Sequence, residues 1–231
     1  MLLYADPTTA IIDPVLSPAT ISLICDVKDP MDGKDYDHDP RYVARKAEAY
    51  LKTTGIADVS YWGPELEFFI FNSIAFDTNS HESFYSIDSQ EGIWNSGDTS
   101  EPNLGYRPRH KEGYFPCPPT DQMHDIRTEM TLKMVAAGID IEKHHHEVAT
   151  GGQVEFGMRF NTLLKQADSV MMYKYIAKPL FRPNQDLLSA NILCILQSWY
   201  FFVSIGFCIR SFPAPLKPPK PLYKVALVQL K

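Results

Sequence analysis

The strongest constraint on the fold lies in residues 59–71, which read VSYWGPELEFFIF. A run this rich in β-branched and aromatic residues predicts a strand. Two glutamates, Glu65 and Glu67, stand two positions apart just before four apolar residues, so their side chains share one face of that strand. Like charges on a partly buried face repel each other, and a divalent cation compensates them well because Mg²⁺, Mn²⁺ and Ca²⁺ prefer carboxylate oxygens. The alternative is a solvated strand face, which the spacing alone favours.

A second carboxylate pair lies in HHHEVATGGQVEF, residues 144–156, where Glu147 and Glu155 flank a Gly-Gly turn. A three-residue loop, Thr150 to Gly152, would place the two glutamates directly opposite each other on one face of a hairpin. A two-residue loop would place them on opposite faces, so the register decides whether they form a pair.

Three consecutive histidines, His144 to His146, raise the alternative of a zinc site, since imidazole is a common zinc ligand. Neighbouring strand residues point in opposite directions, so at most His144 and His146 could share such a site. We favour roles in orienting or packing other groups over zinc binding for these histidines.

The remaining pattern alternates helices with strands and predicts an α+β fold around a mixed sheet. Asp39-Pro40 is typical of a helix start and Gly55 of its end. We expect two further helices, strands on both sides of the Gly-Gly turn, short strands in the first 30 residues, and a long excursion with one hairpin. In residue numbers the two helices begin at Thr120 and Thr162, the strands span 139–150 and 153–157, and the excursion spans 73–119.

Charge and cysteine content narrow the function classes. A net charge of −6 argues against a nucleic-acid binder, which would carry a basic stripe. The four cysteines are far apart and form no CxxC pair, which favours a reducing, cytoplasmic setting. The N-terminus lacks a basic segment and is broken by Asp6-Pro7, unlike a signal peptide. Residues 192–209 carry no charge and have about the minimum length of a membrane span.

Four motifs together resemble the bacterial type I glutamine synthetases. They are GPELEFFIF, KEGYFPCPPTDQMHDIRTEM, IEKHHHEVATGGQVEF and RFNTLLKQADSVMMYKY, in the order and with the spacing of that family. The resemblance covers residues 1–176 without a major gap. It implies that residues 1–181 are a partial catalytic domain, in which an antiparallel or mixed sheet forms an incomplete barrel flanked by helices.

The resemblance implies an enzyme that joins ammonia to L-glutamate with ATP through γ-glutamyl phosphate, using two Mg²⁺ or Mn²⁺ ions. Among the matching positions, Glu67, Glu147 and Glu155 correspond to ligands of the cation nearer glutamate and ammonia, and Glu65 to a ligand of the nucleotide-side cation. The ATP-side positions are Glu142, Met158 and Phe160, and the position in the substrate cavity is Tyr114. The family assembles as a dodecamer.

Departures from the family set further expectations. The first residue falls about where the family's N-terminal β-grasp domain joins the barrel. The continuous match stops after Ile176, and residues 177–181 resemble a later segment of the family, so the family's histidine ligand and last glutamate ligand are absent. We therefore expect the isolated chain to be inactive, the alternatives being a non-catalytic homologue that regulates intact subunits and a γ-glutamyl ligase for another amine. Residues 182–231 form a divergent tail, interpreted as out-of-frame translation rather than a membrane anchor or an added helix.

Overall fold

The computed structural model describes residues 1–16, 18–94 and 105–177, together with the backbone of three later strands. These strands are β11 (Leu193–Ile195), β12 (Phe202–Cys208) and β13 (Ala226–Gln229). Two compact units divide the chain: Met1–Pro64 and Arg159–Met172 belong to the first, and Glu65–Met158 to the second. The predicted tail boundary at residue 182 lies outside the described residues, and so do residues 192, 196–201 and 209 of the apolar run at 192–209.

The first unit combines small sheets with a helix. Strand β1 (Leu2–Ala5) pairs antiparallel with β4 (Cys25–Lys28), and the short strands β2 (Ile11–Ile12) and β3 (Ile21–Ser22) form a second antiparallel pair. Helix α1 spans Pro40–Thr53, and the Asp39 side chain caps it by accepting a hydrogen bond from the Arg41 amide. The helix start predicted from Asp39-Pro40 is confirmed.

A buried guanidinium holds the first unit together. Arg41, only 8% exposed, forms ion pairs with Asp6, Asp26 and Asp168 at 2.7, 2.5 and 3.0 Å. Asp168 lies on helix α3 (Leu163–Ala177), so this one side chain joins the N-terminal segment, α1 and the start of α3. The planar guanidinium suits this role because it presents several donors in fixed directions.

The second unit is built on three antiparallel strands. Strand β5 (Val59–Phe71) enters it at Glu65 and pairs with β9 (Gln153–Met158), which pairs in turn with β8 (Ile141–His146). One face of these strands forms the core through side chains that are fully buried, namely Phe68, Ile70, Val154 and Phe156. The rings of Phe68 and Phe156 stack across β5 and β9 with centroids 5.8 Å apart. The carboxylates occupy the other face.

Further elements complete the α+β fold. In the second unit, β6 (Ser73–Thr78) and β7 (Ser83–Asp88) form the predicted hairpin, and helix α2 spans His124–Ala136. In the first unit, β10 (Asn161–Thr162) pairs with the beginning of β5. The predicted α+β class is confirmed, and no closed barrel forms within the part of the chain that the structure describes.

Two predicted boundaries shift by four residues. Helix α2 begins at His124, four residues after the predicted start. The Asp121 carboxylate accepts hydrogen bonds from the Met123 amide, just before the helix, and from the Arg127 guanidinium in its first turn. Strand β8 ends at His146, since the chain then turns back toward β9. Across the described residues, no helix combines the length and hydropathy that crossing a membrane requires.

Candidate metal centre

The strand register gathers the acidic residues on one face. Glu67 of β5 stands opposite Glu155 of β9, and Glu155 stands opposite His145 of β8. Glu147 lies two residues beyond His145, and its amide donates to the Gln153 carbonyl at 2.9 Å, which continues the ladder by one pair. Paired residues of an antiparallel sheet share a face, so all four side chains lie on the side opposite the apolar core.

Three of these residues bring ligand atoms close together. One nitrogen of His145 and one oxygen each of Glu147 and Glu155 all lie within 4.8 Å of one another. The three residues are only 3%, 8% and 7% exposed. In each, one buried atom has no hydrogen-bond partner: His145 Nε2, Glu147 Oε2 and Glu155 Oε1. Buried polar atoms are normally hydrogen-bonded, so three atoms of ligating type that form no hydrogen bond fit a divalent cation, and one of them, Glu155 Oε1, also forms an ion pair with Lys143.

Lys143 partly compensates this negative charge. Its Nζ lies 3.4 Å from Glu155 Oε1, and the lysine side chain is half exposed. Burial lowers the pKa of Lys143, but attraction to and hydrogen bonding with Glu155, together with attraction to Glu65 and Tyr114, raise it above its usual value. The ammonium group therefore stays charged beside an oxygen that a cation would also bind.

Glu67 faces the same cluster and is affected by it. Burial, followed by repulsion from Glu147, Glu155 and Glu65, raises the pKa of Glu67 above its usual value. The Gln153 amide donates to Glu67 Oε2 at 2.9 Å and holds this carboxylate toward the cluster. The part of this shift that comes from the three glutamates reflects an excess of negative charge, which a bound cation would neutralise.

Glu65 differs from the other three glutamates because it is exposed. It stands opposite Gly157, where β9 offers no side chain, and Lys143 lies across that glycine with its carbons 2.8 Å from where a Cβ would be. The negative charge of Glu65 helps to raise the pKa of Glu67 and of Lys143, but Glu65 is not one of the three buried residues whose ligand atoms lie close together. It is therefore set toward the open side of the same face.

Tyr114, predicted to line the substrate cavity, lies beside this cluster. Its ring meets the His145 ring edge-on, with centroids 5.4 Å apart, and the Phe115 ring lies 4.8 Å from the same imidazole. Both aromatic rings are about 60% exposed. Phe115 has a φ of 59°, a left-handed conformation that is costly for an aromatic residue and often occurs at functional sites.

The three residues predicted on the ATP side lie in different surroundings. Glu142 is exposed on β8, at a bulge between Ile141 and Lys143. Met158 ends β9 and is buried. Phe160 belongs to the first unit, where its ring packs edge-on against Tyr61 at 5.3 Å. Their assignment to ATP stays a prediction.

The hairpin matches neither of the predicted loop lengths. Glu147 pairs with Gln153, so five residues separate them, and Glu155 stands opposite His145 rather than Glu147. The glutamates nevertheless share a face because an even number of positions along the ladder separates them. Gly152 closes the turn with a φ of 81°, and a Cβ there would lie 2.2 Å from the Ile70 carbonyl oxygen.

The structure gives the three histidines different surroundings, and none of the described residues forms a site that holds two of them. His145 lies with the carboxylates of Glu147 and Glu155. The sequence indicates this, because His145 stands two positions before Glu147 and residues two apart on a strand share a face. His146 Nε2 binds the buried Glu91 carboxylate at 2.9 Å. His144 accepts a hydrogen bond from Arg127, and burial followed by this guanidinium lowers the pKa of His144 to about 4.

Comparison with known proteins identifies the family. Residues 37–185 match the family described as glutamine synthetase, catalytic domain. The glutamine synthetase of a Nostoc species is 53% identical over 181 residues, covering 77% of this chain and 38% of the relative. That of Aquifex aeolicus is 51% identical over 178 residues, covering 77% of this chain and 37% of the relative. This chain thus spans less than two fifths of the length of these curated relatives.

A solved structure shares the fold. The cryo-electron microscopy structure of Plasmodium falciparum glutamine synthetase superposes with a TM-score of 0.76 at 23% identity, covering 90% of this chain and 41% of that one. The family match extends over well more than half of the residues, and it includes all four glutamates of the candidate metal centre. The chain belongs to the glutamine synthetase catalytic-domain family.

Proposed function

We propose that the chain is part of a glutamine synthetase, which ligates ammonia to L-glutamate with ATP through γ-glutamyl phosphate, and that it contributes the divalent-cation centre. The observation that carries this proposal is the buried trio of His145, Glu147 and Glu155, whose ligand atoms lie within 4.8 Å of one another and each of which has one buried atom without a hydrogen bond. The family match and the identity of the relatives support it.

The donor set fits Mg²⁺ or Mn²⁺. Glu67, Glu147 and Glu155 supply three carboxylates on one face, and hard oxygen ligands are what these cations prefer. When bound, such a cation neutralises charge on transferring phosphoryl oxygens and aligns the reacting groups. The protein's part is to hold its carboxylates in place on strands, which it does through the β5–β9–β8 ladder and the Gln153 amide.

Other assignments extend this proposal. Glu65 binds the nucleotide-side cation, and its exposure at the open side of the face supports this. Tyr114, packed on His145, lines the substrate cavity. Glu142, Met158 and Phe160 contribute to the ATP side. The whole protein works as a homo-oligomer in the cytoplasm, with glutamate, ammonia and ATP as its substrates.

Mn²⁺ titration of the 231-residue chain tests the metal centre. Free Mn²⁺ is followed by electron paramagnetic resonance, which detects the hydrated ion and not the protein-bound one. We expect binding that Glu147→Ala and Glu155→Ala abolish, and that Glu82→Ala preserves, because Glu82 lies exposed at the tip of the β6–β7 hairpin. Unchanged binding in both site variants would remove the hairpin from the centre.

Turnover is tested by γ-glutamyl hydroxamate formation from glutamate, hydroxylamine, ATP and Mn²⁺. We expect no product from this chain by itself, because it spans 38% of its relative's length. Product formation by the purified chain would overturn that expectation while supporting the assignment of the reaction.

A further inference from the structure

The carboxylate of Glu91 is buried behind the candidate metal centre. Glu91 is fully buried, and its two oxygens receive three hydrogen bonds. Oε1 accepts the Gln122 amide at 2.6 Å, and Oε2 accepts the Gly152 amide at 2.7 Å and contacts His146 Nε2 at 2.9 Å. A carboxylate removed from water with this many donors forms strong, directional contacts.

These contacts reach the two chain segments that carry the site. Gly152 directly precedes Gln153, whose side chain holds Glu67, and His146 directly precedes Glu147. The other imidazole nitrogen, His146 Nδ1, lies 2.7 Å from the Gly113 carbonyl oxygen and 2.8 Å from that of Glu147. The Glu91 side chain thus connects both ends of the turn between β8 and β9, through His146 and Gly152.

The backbone around Glu91 is itself fixed. The Gly92 amide donates to the Ser89 carbonyl at 2.8 Å, which closes a turn directly after β7, and Asn72 at the end of β5 binds the Gln90 amide at 2.7 Å. The contact with the hairpin is also close, since a Cβ on Gly151 would lie 2.4 Å from the Glu91 carbonyl. Glu91 therefore has little freedom to move independently of the turn.

Glu91 does not belong to the ligand face. His146 stands opposite Val154 in the ladder, one position away from the His145–Glu155 pair, so its side chain projects to the other side of the sheet. Any effect of Glu91 on a bound cation must act through the residues that it holds.

We propose that Glu91 is a positioning residue for the cation centre: its buried carboxylate holds Gly152 and His146, and through them it fixes Glu147 in ligating geometry and Gln153 where its side chain holds Glu67. This inference rests on the proposed function for its metal and on the structure for its contacts. Partners behind the ligands typically change metal affinity by ~10–100-fold when they are lost.

The direct test is Glu91→Gln in the full chain, which keeps the side chain's shape but replaces one acceptor oxygen with a donor. We expect Mn²⁺ affinity to fall ~10–100-fold. We also expect bound Mn²⁺ to gain at least one water ligand, measured by water-proton relaxation at saturating Mn²⁺, since a displaced Glu147 leaves a coordination position. A role in folding alone would leave that hydration number unchanged. Glu82→Gln is the matched control and should change neither quantity.

Amide hydrogen exchange in the wild-type chain tests the contacts without a variant and remains informative if Glu91→Gln fails to fold. Gly152 and Gly33 both have a positive φ and a hydrogen-bonded amide, but Gly33 lies in an exposed turn and donates to the Asp29 carbonyl. We expect the Gly152 amide to exchange about 100-fold more slowly than that of Gly33, because its opening requires breaking the buried cluster. Equal rates would overturn the proposal.

The two tests also separate this proposal from the proposed function. Wild-type chain that binds no Mn²⁺ but protects the Gly152 amide would refute the metal centre and, with it, the positioning role of Glu91. Normal Mn²⁺ binding with unchanged affinity and hydration in Glu91→Gln would refute the role of Glu91 while leaving the metal centre intact.

Discussion

Replacing Glu147 with glutamine is expected to stabilise the metal-free chain and to remove its stabilisation by Mn²⁺. Glutamine keeps the shape of the side chain and removes its negative charge. No described residue donates a hydrogen bond to Glu147 Oε2, so the substitution breaks no bond at that atom. The main change in the metal-free protein is therefore the loss of charge repulsion.

The size of this repulsion follows from the geometry. Ligand oxygens of Glu147 and Glu155 lie within 4.8 Å of each other. At that separation two unit charges repel by about 3 kcal/mol for an effective dielectric constant of about 20. Part of this is offset by the Lys143 ammonium group, which lies 3.4 Å from Glu155 Oε1. We expect a net gain of about 1–2 kcal/mol, which raises Tm by roughly 2–8 °C for a chain of this size.

In the presence of Mn²⁺, the wild-type chain should be more stable than Glu147→Gln. At a concentration of about 100 times Kd, a cation that binds only the folded wild-type chain adds about 2.7 kcal/mol of stability. This corresponds to a Tm rise of roughly 5–11 °C. Glu147→Gln removes one of the three close ligands, so the same Mn²⁺ concentration should leave its Tm nearly unchanged.

Thermal unfolding followed by circular dichroism, with and without Mn²⁺, measures both effects in one experiment. Glu82→Gln is the control, since Glu82 is exposed in the β6–β7 turn and lies far along the chain from His145, Glu147 and Glu155. A metal-free Tm that falls in Glu147→Gln would show that the charges do not repel as the geometry requires. A full Mn²⁺ shift in the variant would show that Glu147 is not a ligand.

Three further predictions concern single groups. Lys143→Met should raise Mn²⁺ affinity in the same titration, because the ammonium 3.4 Å from Glu155 Oε1 competes with the cation, and a lower affinity would refute this. Burial and a neighbouring guanidinium lower the pKa of His144 to about 4, so the unfolded chain binds the proton more tightly; stability should fall as pH falls from about 6.5 to about 4. Urea unfolding of wild type and His144→Gln should show a weaker pH dependence in the variant. Arg41→Met leaves Asp6 and Asp168 without their arginine partner and should cost about 3 kcal/mol in the same assay, whereas a loss below about 1 kcal/mol would contradict the network.

The elements that local chemistry determines were predicted well. Strand β5 has the predicted bounds, because its apolar density and flanking turn residues leave few alternatives. Helix α1 follows from the Asp39 cap and the Pro at its first position. The face shared by Glu65 and Glu67 follows from strand periodicity alone.

The loop length of the β8–β9 hairpin could not be predicted from the sequence, because it depends on contacts between residues far apart in the chain. Its loop length depends on the Gly152 amide binding Glu91, which lies 61 positions earlier in the chain. Loop residues carry no signal for such a partner, so neither predicted loop length was correct. Glu91 could not be predicted for the same reason. It is a charged residue in a polar stretch of sequence, and only the folded chain shows that it is completely buried. His145 was missed because adjacent histidines were compared with each other rather than with the glutamates.

The two faces of the β5–β9–β8 ladder explain how like charges can be held together before a cation binds. Fully burying Phe68, Ile70 and Phe156 on the core face contributes about 1.5–3 kcal/mol for each side chain. The repulsion between Glu147 and Glu155 on the opposite face is of the order of 3 kcal/mol for one pair. The apolar face therefore outweighs it, and the ladder can keep its register with the carboxylates in ligating positions. Because the same strands carry both faces, a cation meets ligands that are already arranged, and its binding energy is not spent on folding the site.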